Sequence, residues 1–141
     1  MLKNIPKSFT PDLLKMLMQA GHGEEILISD GNFPHMAMNI KAESIYIPTL
    51  DIPSLLADIL LFFPLDTYVD AAASAMSFLK DSPKYGEYIR LIETNGSKLD
   101  LIGRYEFYDL AKKASGIIVT ADTTKGGNIL IKKGVVGHEN I

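Results

Sequence analysis

The sequence predicts an α/β domain of three layers, α/β/α, with a mostly parallel or mixed sheet, and three observations predict it. Short apolar runs rich in β-branched residues, such as Ile26-Leu27-Ile28 and Ile117-Ile118-Val119, alternate with segments whose apolar residues recur at helical spacing. Residues 99 to 119 read as strand, helix and strand joined by short connections, a β-α-β unit that normally is right-handed with parallel strands. The chain has 141 residues, 47% of them apolar and 22% charged, which suits one sizeable core, so residues 1–141 are expected to form a single domain.

Each element has a local cause. Thr10-Pro11-Asp12 starts a helix: a hydroxyl caps free amides, proline takes the first helical position, and an acid sits in the positive first turn. Leu13, Leu14, Leu17 and Met18 keep one face apolar up to Ala20, and Gly21 is expected to end the helix in the left-handed conformation. Ile26-Leu27-Ile28 then reads as a strand buried on both faces, ending in Ser29-Asp30-Gly31. Residues 31–39, with Gly31, Asn32 and Pro34, read as a loop. Ile45 and Ile47 alternate as in a strand, and Pro53 opens a helix running through Leu56, Ile59, Leu60 and Phe63 until Pro64 closes it.

Residues 68–79 pull two ways. Ala71-Ala72-Ala73 favours helix by propensity, but the position between two helical patterns suits a strand, which is the expectation adopted. Ser82-Pro83 begins a further helix with Tyr88, Leu91 and Ile92 on one side, ended by Asn95-Gly96. Leu99 to Ile102 is a strand. Phe107, Leu110, Ala111 and Ala114 lie at i, i+3, i+4 and i+7 of a helix. Ile117 to Val119 is a strand, and Asn128 to Lys132 is the last one before Gly134.

Several function classes drop out. The longest uninterrupted apolar run, Ile59 to Phe63, is far short of the roughly 20 residues that cross a bilayer. The N-terminal segment lacks a secretory signal's apolar stretch, and with no cysteine present the expected compartment is the cytoplasm. The net charge is −3, and Lys112-Lys113 and Lys132-Lys133 fall short of a basic stripe, so no nucleic-acid partner is expected. His22, His35 and His138 show no metal-ligand spacing, and neither a phosphate loop nor a Gly-x-Ser-x-Gly elbow occurs.

Four polar positions fall at element ends, where α/β folds gather ligands: His22, Asp30, Arg104 and Asn128. Spacing leaves plain alternatives open for each. His22 suits the negative end of a helix, Asp30 an Asx-type turn, Arg104 a surface ion pair, and Gly126-Gly127-Asn128 a simple turn.

The combination of Gly21-His22-Gly23-Glu24-Glu25-Ile26, Ser29-Asp30-Gly31-Asn32-Phe33-Pro34, Arg104 with Phe107-Tyr108, and Gly127-Asn128-Ile129-Leu130 before Lys132-Lys133-Gly134-Val135 resembles the L-fucose mutarotase and D-ribose pyranase family. The match is strong over residues 1–39 and 102–135 and weak between them. The resemblance implies a mutarotase-like isomerase that interconverts anomers of a free monosaccharide without cofactor or metal. It implies His22 as acid/base, Asp30 and Arg104 as sugar-binding groups, and Gly126, Gly127 and Asn128 as a further wall. Arg104 points to the L-fucose branch, the ribose branch tending to carry histidine there. The resemblance also implies a homo-oligomer, a decameric ring whose sites lie near subunit boundaries.

Those residue types suit the reaction. Ring opening removes the anomeric hydroxyl proton and protonates the ring oxygen, and closure on the opposite carbonyl face inverts the centre. Histidine as a residue type serves both directions near neutrality. An ionised aspartate only accepts hydrogen bonds, while arginine offers several fixed donors. The alternatives are a D-ribose pyranase and a non-catalytic sugar-binding protein that assists uptake. Two positions depart from the family: Gly126 stands where many members carry tyrosine, and Asn32 where a histidine is frequent. A tyrosine from another segment or subunit, Tyr46, Tyr68 or Tyr85, is therefore expected near Gly126, and His35 is a candidate to compensate at Asn32.

Overall fold

A computed structural model describes residues 1–138. The strands are β1 (Glu25–Ser29), β2 (Glu43–Ile47), β3 (Ala73–Met76), β4 (Leu99–Ile102), β5 (Gly116–Thr120) and β6 (Ile129–Lys132). The α-helices are α1 (Pro11–Gln19), α2 (Ile52–Leu60), α3 (Tyr85–Thr94) and α4 (Arg104–Ala111). One six-stranded sheet has the order β2-β5-β1-β6-β3-β4. Only β6 runs against the others, pairing antiparallel with β1 on one side and β3 on the other. The expected α/β/α architecture with a mixed, mostly parallel sheet is the one observed.

The layers follow from which faces are apolar. Leu13, Met16 and Leu17 of α1, Leu55, Leu56 and Ile59 of α2, and Tyr88, Leu91 and Ile92 of α3 pack on one face of the sheet against Ile26, Ile28, Ile118, Ile129 and Ile131. On the other face Phe107 and Ala111 of α4, with Phe33, cover Leu27, Ile117, Val119 and Leu130. Alternate residues of β1 thus enter opposite cores, the period-two rule for a strand covered on both sides. No helix among the described residues is long and apolar enough to cross a membrane.

Local expectations met some corrections. Thr10 caps α1, its hydroxyl oxygen accepting from the Leu13 N–H at 3.1 Å, but the left-handed residue after the helix is Gly23 (φ 82°), not Gly21. Ala20 leaves the helix in an extended conformation, and Gly21 donates its N–H to the Glu24 side chain at 2.6 Å. Helix α2 ends at Leu60, before Phe63, because the chain tightens into a turn ahead of Pro64. The 68–79 segment is strand only over Ala73–Met76, and a 3-10 turn, Ser77–Asp81, follows. Ser82 and Pro83 form a turn that precedes α3 rather than its first residues, with the Ser82 carbonyl accepting from the Tyr85 N–H. Strands β4 and β5 share a direction, but three strands separate them, so α4 crosses the sheet instead of linking neighbours. The fully buried β5 takes an interior place, whereas β4, with Asp100 exposed, tolerates an edge.

Candidate functional site

Strand direction sorts the polar residues into two groups. The carboxyl ends of β1, β3, β4 and β5 and the amino end of the antiparallel β6 all meet at one edge of the sheet. Asp30 follows β1, Phe78 follows β3, Arg104 follows β4, residues 121–125 follow β5, and Asn128 precedes β6. Asp30, Phe78, Arg104, Thr123, Thr124, Lys125 and Asn128 surround a cleft of about 440 Å³ lined also by Asn32, Phe33, Pro34, Met76, Tyr108 and Gly126.

Asp30 and Asn128 form its buried floor, 8% and 3% exposed. The Asp30 N–H donates to the Asn128 side-chain oxygen at 2.8 Å, and the Asn128 amide donates back to Asp30 Oδ2 at 3.1 Å. Because a backbone N–H can only donate, this pairing fixes which end of the Asn128 amide is oxygen. The Asn32 N–H donates to Asp30 Oδ1 at 2.8 Å. Burial pushes the Asp30 carboxyl above the usual aspartate range, with Asp122 adding to the push and donors from Asn32, Asn128 and Phe33 opposing it. A carboxylate has about four lone-pair sites, so Asp30 retains acceptor capacity for sugar hydroxyls, and Asn128 retains one N–H.

The loop after β5 is anchored from below. Asp122, buried, accepts from the Ile52 N–H at 2.8 Å and the Thr124 N–H at 2.8 Å, and Lys84 Nζ bridges Asp122 and Asp51 at 3.5 and 3.3 Å. Burial raises the Asp122 carboxyl, yet those donors and the Lys84 charge hold it below the ordinary value. The Asp122 carbonyl accepts from the Gly31 N–H at 2.9 Å, joining this loop to the one after β1. From α3 the buried Tyr88 hydroxyl donates to the Gly127 carbonyl at 2.8 Å. Burial, then the charges of Asp122, Asp51 and Asp30, push that hydroxyl upward, so it stays a neutral donor. Arg104, exposed at the first turn of α4, forms no ion pair among the described residues and lies 5.2 Å from the Phe78 ring centre.

His22 is elsewhere. It precedes β1, and a five-residue strand at ~3.3 Å per residue puts it roughly 17 Å from Asp30, at the opposite sheet edge. There its Nε2 lies 3.1 Å from Asp66 Oδ1, and its ring meets Tyr68 edge-on at 5.1 Å. The Tyr68 N–H, and behind it His22, hold the buried Asp66 carboxyl below its usual range against the opposing effect of burial. One chain therefore gathers Asp30, Arg104, Gly126 and Asn128 at the cleft, with Gly127 fixed behind it by Tyr88, and leaves His22 outside.

Of the tyrosines expected near Gly126 none is there within one chain, but a tyrosine of another segment is: Tyr108 lines the same cleft as Gly126, and the Tyr88 hydroxyl reaches the carbonyl of adjacent Gly127 at 2.8 Å. Tyr85 packs against the helical core, Tyr46 lies beside His35 with its hydroxyl 3.2 Å from Nε2, and Tyr68 accompanies His22. The aromatic side chains at the cleft are Phe33, Phe78 and Tyr108. His35 is occupied by the Phe33 carbonyl and Tyr46 and does not line the cleft beside Asn32. Sequence reading missed Asp122, Asp66, Phe78 and Tyr88. Asp122 carried a usable signal, since Thr120-Ala121-Asp122 leaves the carboxyl end of a buried strand just as Ser29-Asp30 does.

Comparison with known proteins gives a consistent picture. Residues 3–136 match the family described as RbsD / FucU transport protein family. The sequence is 37% identical over 153 residues to a fucose mutarotase of Danio rerio, covering 98% of this chain and 96% of that protein. It is 37% identical over 142 residues to an L-fucose mutarotase of Histophilus somni, covering 96% and 97%. The fold superposes with a TM-score of 0.86 on a fucose mutarotase of Streptococcus pneumoniae crystallised in complex with L-fucose, at 40% identity over 96% of this chain and all of that one. Bacillus subtilis RbsD, solved with D-ribose, shares the fold at a TM-score of 0.79 and 21% identity.

Proposed function

The chain belongs to the RbsD / FucU transport protein family, and from that premise we propose that it is a monosaccharide mutarotase, an isomerase that interconverts the α and β anomers of free L-fucose. The observation that carries the reading is the cleft in which the Asp30–Asn128 pair and the Arg104 guanidinium face one space. Asp30 accepts from sugar hydroxyls, the free Asn128 N–H and Arg104 donate to sugar oxygens, and the backbone at Gly126 and Gly127 closes the wall. Arg104 stabilises oxygen charge as the ring opens.

His22 moves the proton. It takes the anomeric O–H proton as the ring C–O bond breaks, and the imidazolium so formed returns that proton to the ring oxygen, leaving an open-chain aldehyde and neutral His22. Rotation about the bond to C2 presents the other carbonyl face, and the same transfers in reverse close the ring on the opposite anomer. No electron or group leaves the sugar, so the chain's own acid/base groups suffice and no cofactor is needed.

Because His22 lies a strand length from the cleft of its own chain, the site is assigned to two copies, His22 of one chain entering the cleft of the next. Apolar exposure near His22 supports this. Met18, Phe62 and Val136 border a shallow depression with Lys133, whose carbonyl accepts from the Gly23 N–H at 2.8 Å, and Tyr68 is 75% exposed. A decameric ring of 1–141 mutarotase-like domains in the cytoplasm is the assembly and compartment this reading carries.

Saturation-transfer NMR between anomers of L-fucose, D-ribose and D-galactose tests it. Exchange above the buffer rate that is fastest for L-fucose supports the proposal. A fastest rate with D-ribose marks a pyranase, and binding without enhanced exchange marks a sugar carrier.

A further inference from the structure

Phe78 stands at the junction of two cavities. It lines the Asp30 cleft and also a neighbouring hollow of about 510 Å³ bordered by Asp81, Ser82, Pro83, Lys84 and Lys125. Its half-buried ring is held by two cations, with Arg104 5.2 Å and Lys125 5.6 Å from its centre. The loop behind it leaves little play. Gly126 sits at φ 71°, and a Cβ there would come within 2.9 Å of the Phe78 Cβ and 3.2 Å of the Leu79 nitrogen. Glycine thus lets the 124–127 loop press on the Phe78 segment and set the ring as a wall.

That wall is apolar, and Met76, Phe33 and Pro34 extend it. A sugar whose hydroxyls are engaged by Asp30, Asn128 and Arg104 turns its carbon-bound hydrogens and any deoxy carbon toward what remains. Resting on the L-fucose reading above, we propose that Phe78 is a specificity-determining residue, its ring receiving the C6 methyl group and so selecting a 6-deoxy sugar over its 6-hydroxy counterpart. L-galactose differs from L-fucose only by that hydroxyl. A hydroxyl pressed against the ring gives up water and finds no partner on the ring itself, Arg104 and Lys125 lying 5.2 and 5.6 Å from its centre, while the methyl group gains apolar contact.

Discrimination by an apolar wall against one added hydroxyl is about 10- to 100-fold. Anomer exchange and NMR-titrated affinity are measured with L-fucose and L-galactose for the unmodified protein, Phe78→Ala and Phe78→Leu. The unmodified protein is expected to favour L-fucose within that range. Phe78→Ala lowers the L-fucose value at least several-fold and leaves L-galactose nearly unchanged, so the ratio falls toward one, and Phe78→Leu, which keeps apolar volume, retains an intermediate ratio. Circular dichroism checks folding, and if the alanine variant unfolds, the ratio in Phe78→Leu decides. An equal preference in the unmodified protein, or a ratio that the substitutions leave intact, overturns the role of Phe78. Absence of exchange in the unmodified protein sinks the mutarotase reading, yet the affinity ratio still decides on Phe78, and absence of binding to either sugar overturns both.

Discussion

The two ends of β1 are built to different standards. At its carboxyl end Asp30 is buried, accepts two hydrogen bonds at its carboxylate and is locked through its own N–H to Asn128, while Asp122, Lys84 and Tyr88 brace the facing loop. At its amino end His22 has a side chain 45% exposed, held by one carboxylate and one ring edge. The first end is prepared to fix a ligand without rearranging. The second presents an imidazole outward among exposed apolar side chains. A site that needs both ends is incomplete in one chain, and in the proposed assembly one strand would serve two adjoining sites.

The largest expected effect breaks the comparison directly. His22→Gln should leave folding intact and lower anomer exchange by about 10²- to 10⁴-fold, the usual contribution of a general acid/base. Arg104→Ala, at an exposed position, should be similarly poor by loss of sugar contact. If the two ends meet across copies, dissociating and reassociating the two inactive variants together restores intact sites at about one quarter of the positions in a randomly mixed oligomer. A mixture as inactive as its parents would place both residues in one chain's site and defeat the shared arrangement.

Stability should be lost mainly at the prepared end. Asn128→Ala strips the buried Asp30 N–H of its acceptor and the carboxylate of a donor, a cost of about 1–3 kcal/mol. A thermal midpoint equal to that of the unmodified protein would show the pair to be dispensable. Gly126→Ala forces a non-glycine residue into the left-handed region, about 1–2 kcal/mol, besides crowding Phe78. Its denaturation midpoint should fall while Gly21→Ala, at a position with negative φ and exposed, changes little.

What was legible in the sequence divides along a similar line. Strands β1, β5 and β6 and helices α1 and α4 carry strong local signals, namely β-branched runs, a Thr-Pro-Asp start and an i, i+3, i+4 stripe, and they form close to where expected, except that α4 ends at Ala111 and leaves Ala114 outside it, and on α1 Met16 rather than the exposed Met18 faces the core. The weaker middle, 68–79, mixed alanine propensity with strand context, and pairing with β6 decided it only for four residues. Asp30, Arg104 and Asn128 could be read as neighbours because polar residues at strand ends converge, and the structure brings the three to one cleft. Asp66 and Tyr88 could not be, since their roles depend on the Leu65–Lys133 bridge and on α3 packing beneath the 124–127 loop, contacts between segments far apart in sequence. Beside Gly126 itself stands Phe78, placed by a 3-10 turn that no local signal marked, while the tyrosines near this loop are Tyr108 and Tyr88 rather than Tyr46, Tyr68 or Tyr85.

The smallest effect concerns acid, and it separates the two ends by sign. Burial raises the Asp30 carboxyl above the usual aspartate range, whereas the Tyr68 N–H and His22 lower that of Asp66. A raised carboxyl favours the fold most when protonated, so Asp30's contribution to stability is present below its unfolded value and lost as pH rises through its native one. Asp66 behaves oppositely: its contribution is present above its unfolded value and lost as pH falls through its depressed native one. On acidification, Asp30 therefore gains its proton first and stops accepting from sugar hydroxyls with both oxygens, while the Asp66 contact and the fold persist. L-fucose affinity should begin to fall at a pH above the ordinary aspartate range, of about 4, in a window where the thermal midpoint has not yet dropped. Titrating affinity by NMR alongside thermal unfolding checks this. An affinity that stays constant until the protein unfolds would mean that Asp30 binds sugar equally well when protonated, and its part in anchoring would then rest on the backbone and Asn128 alone.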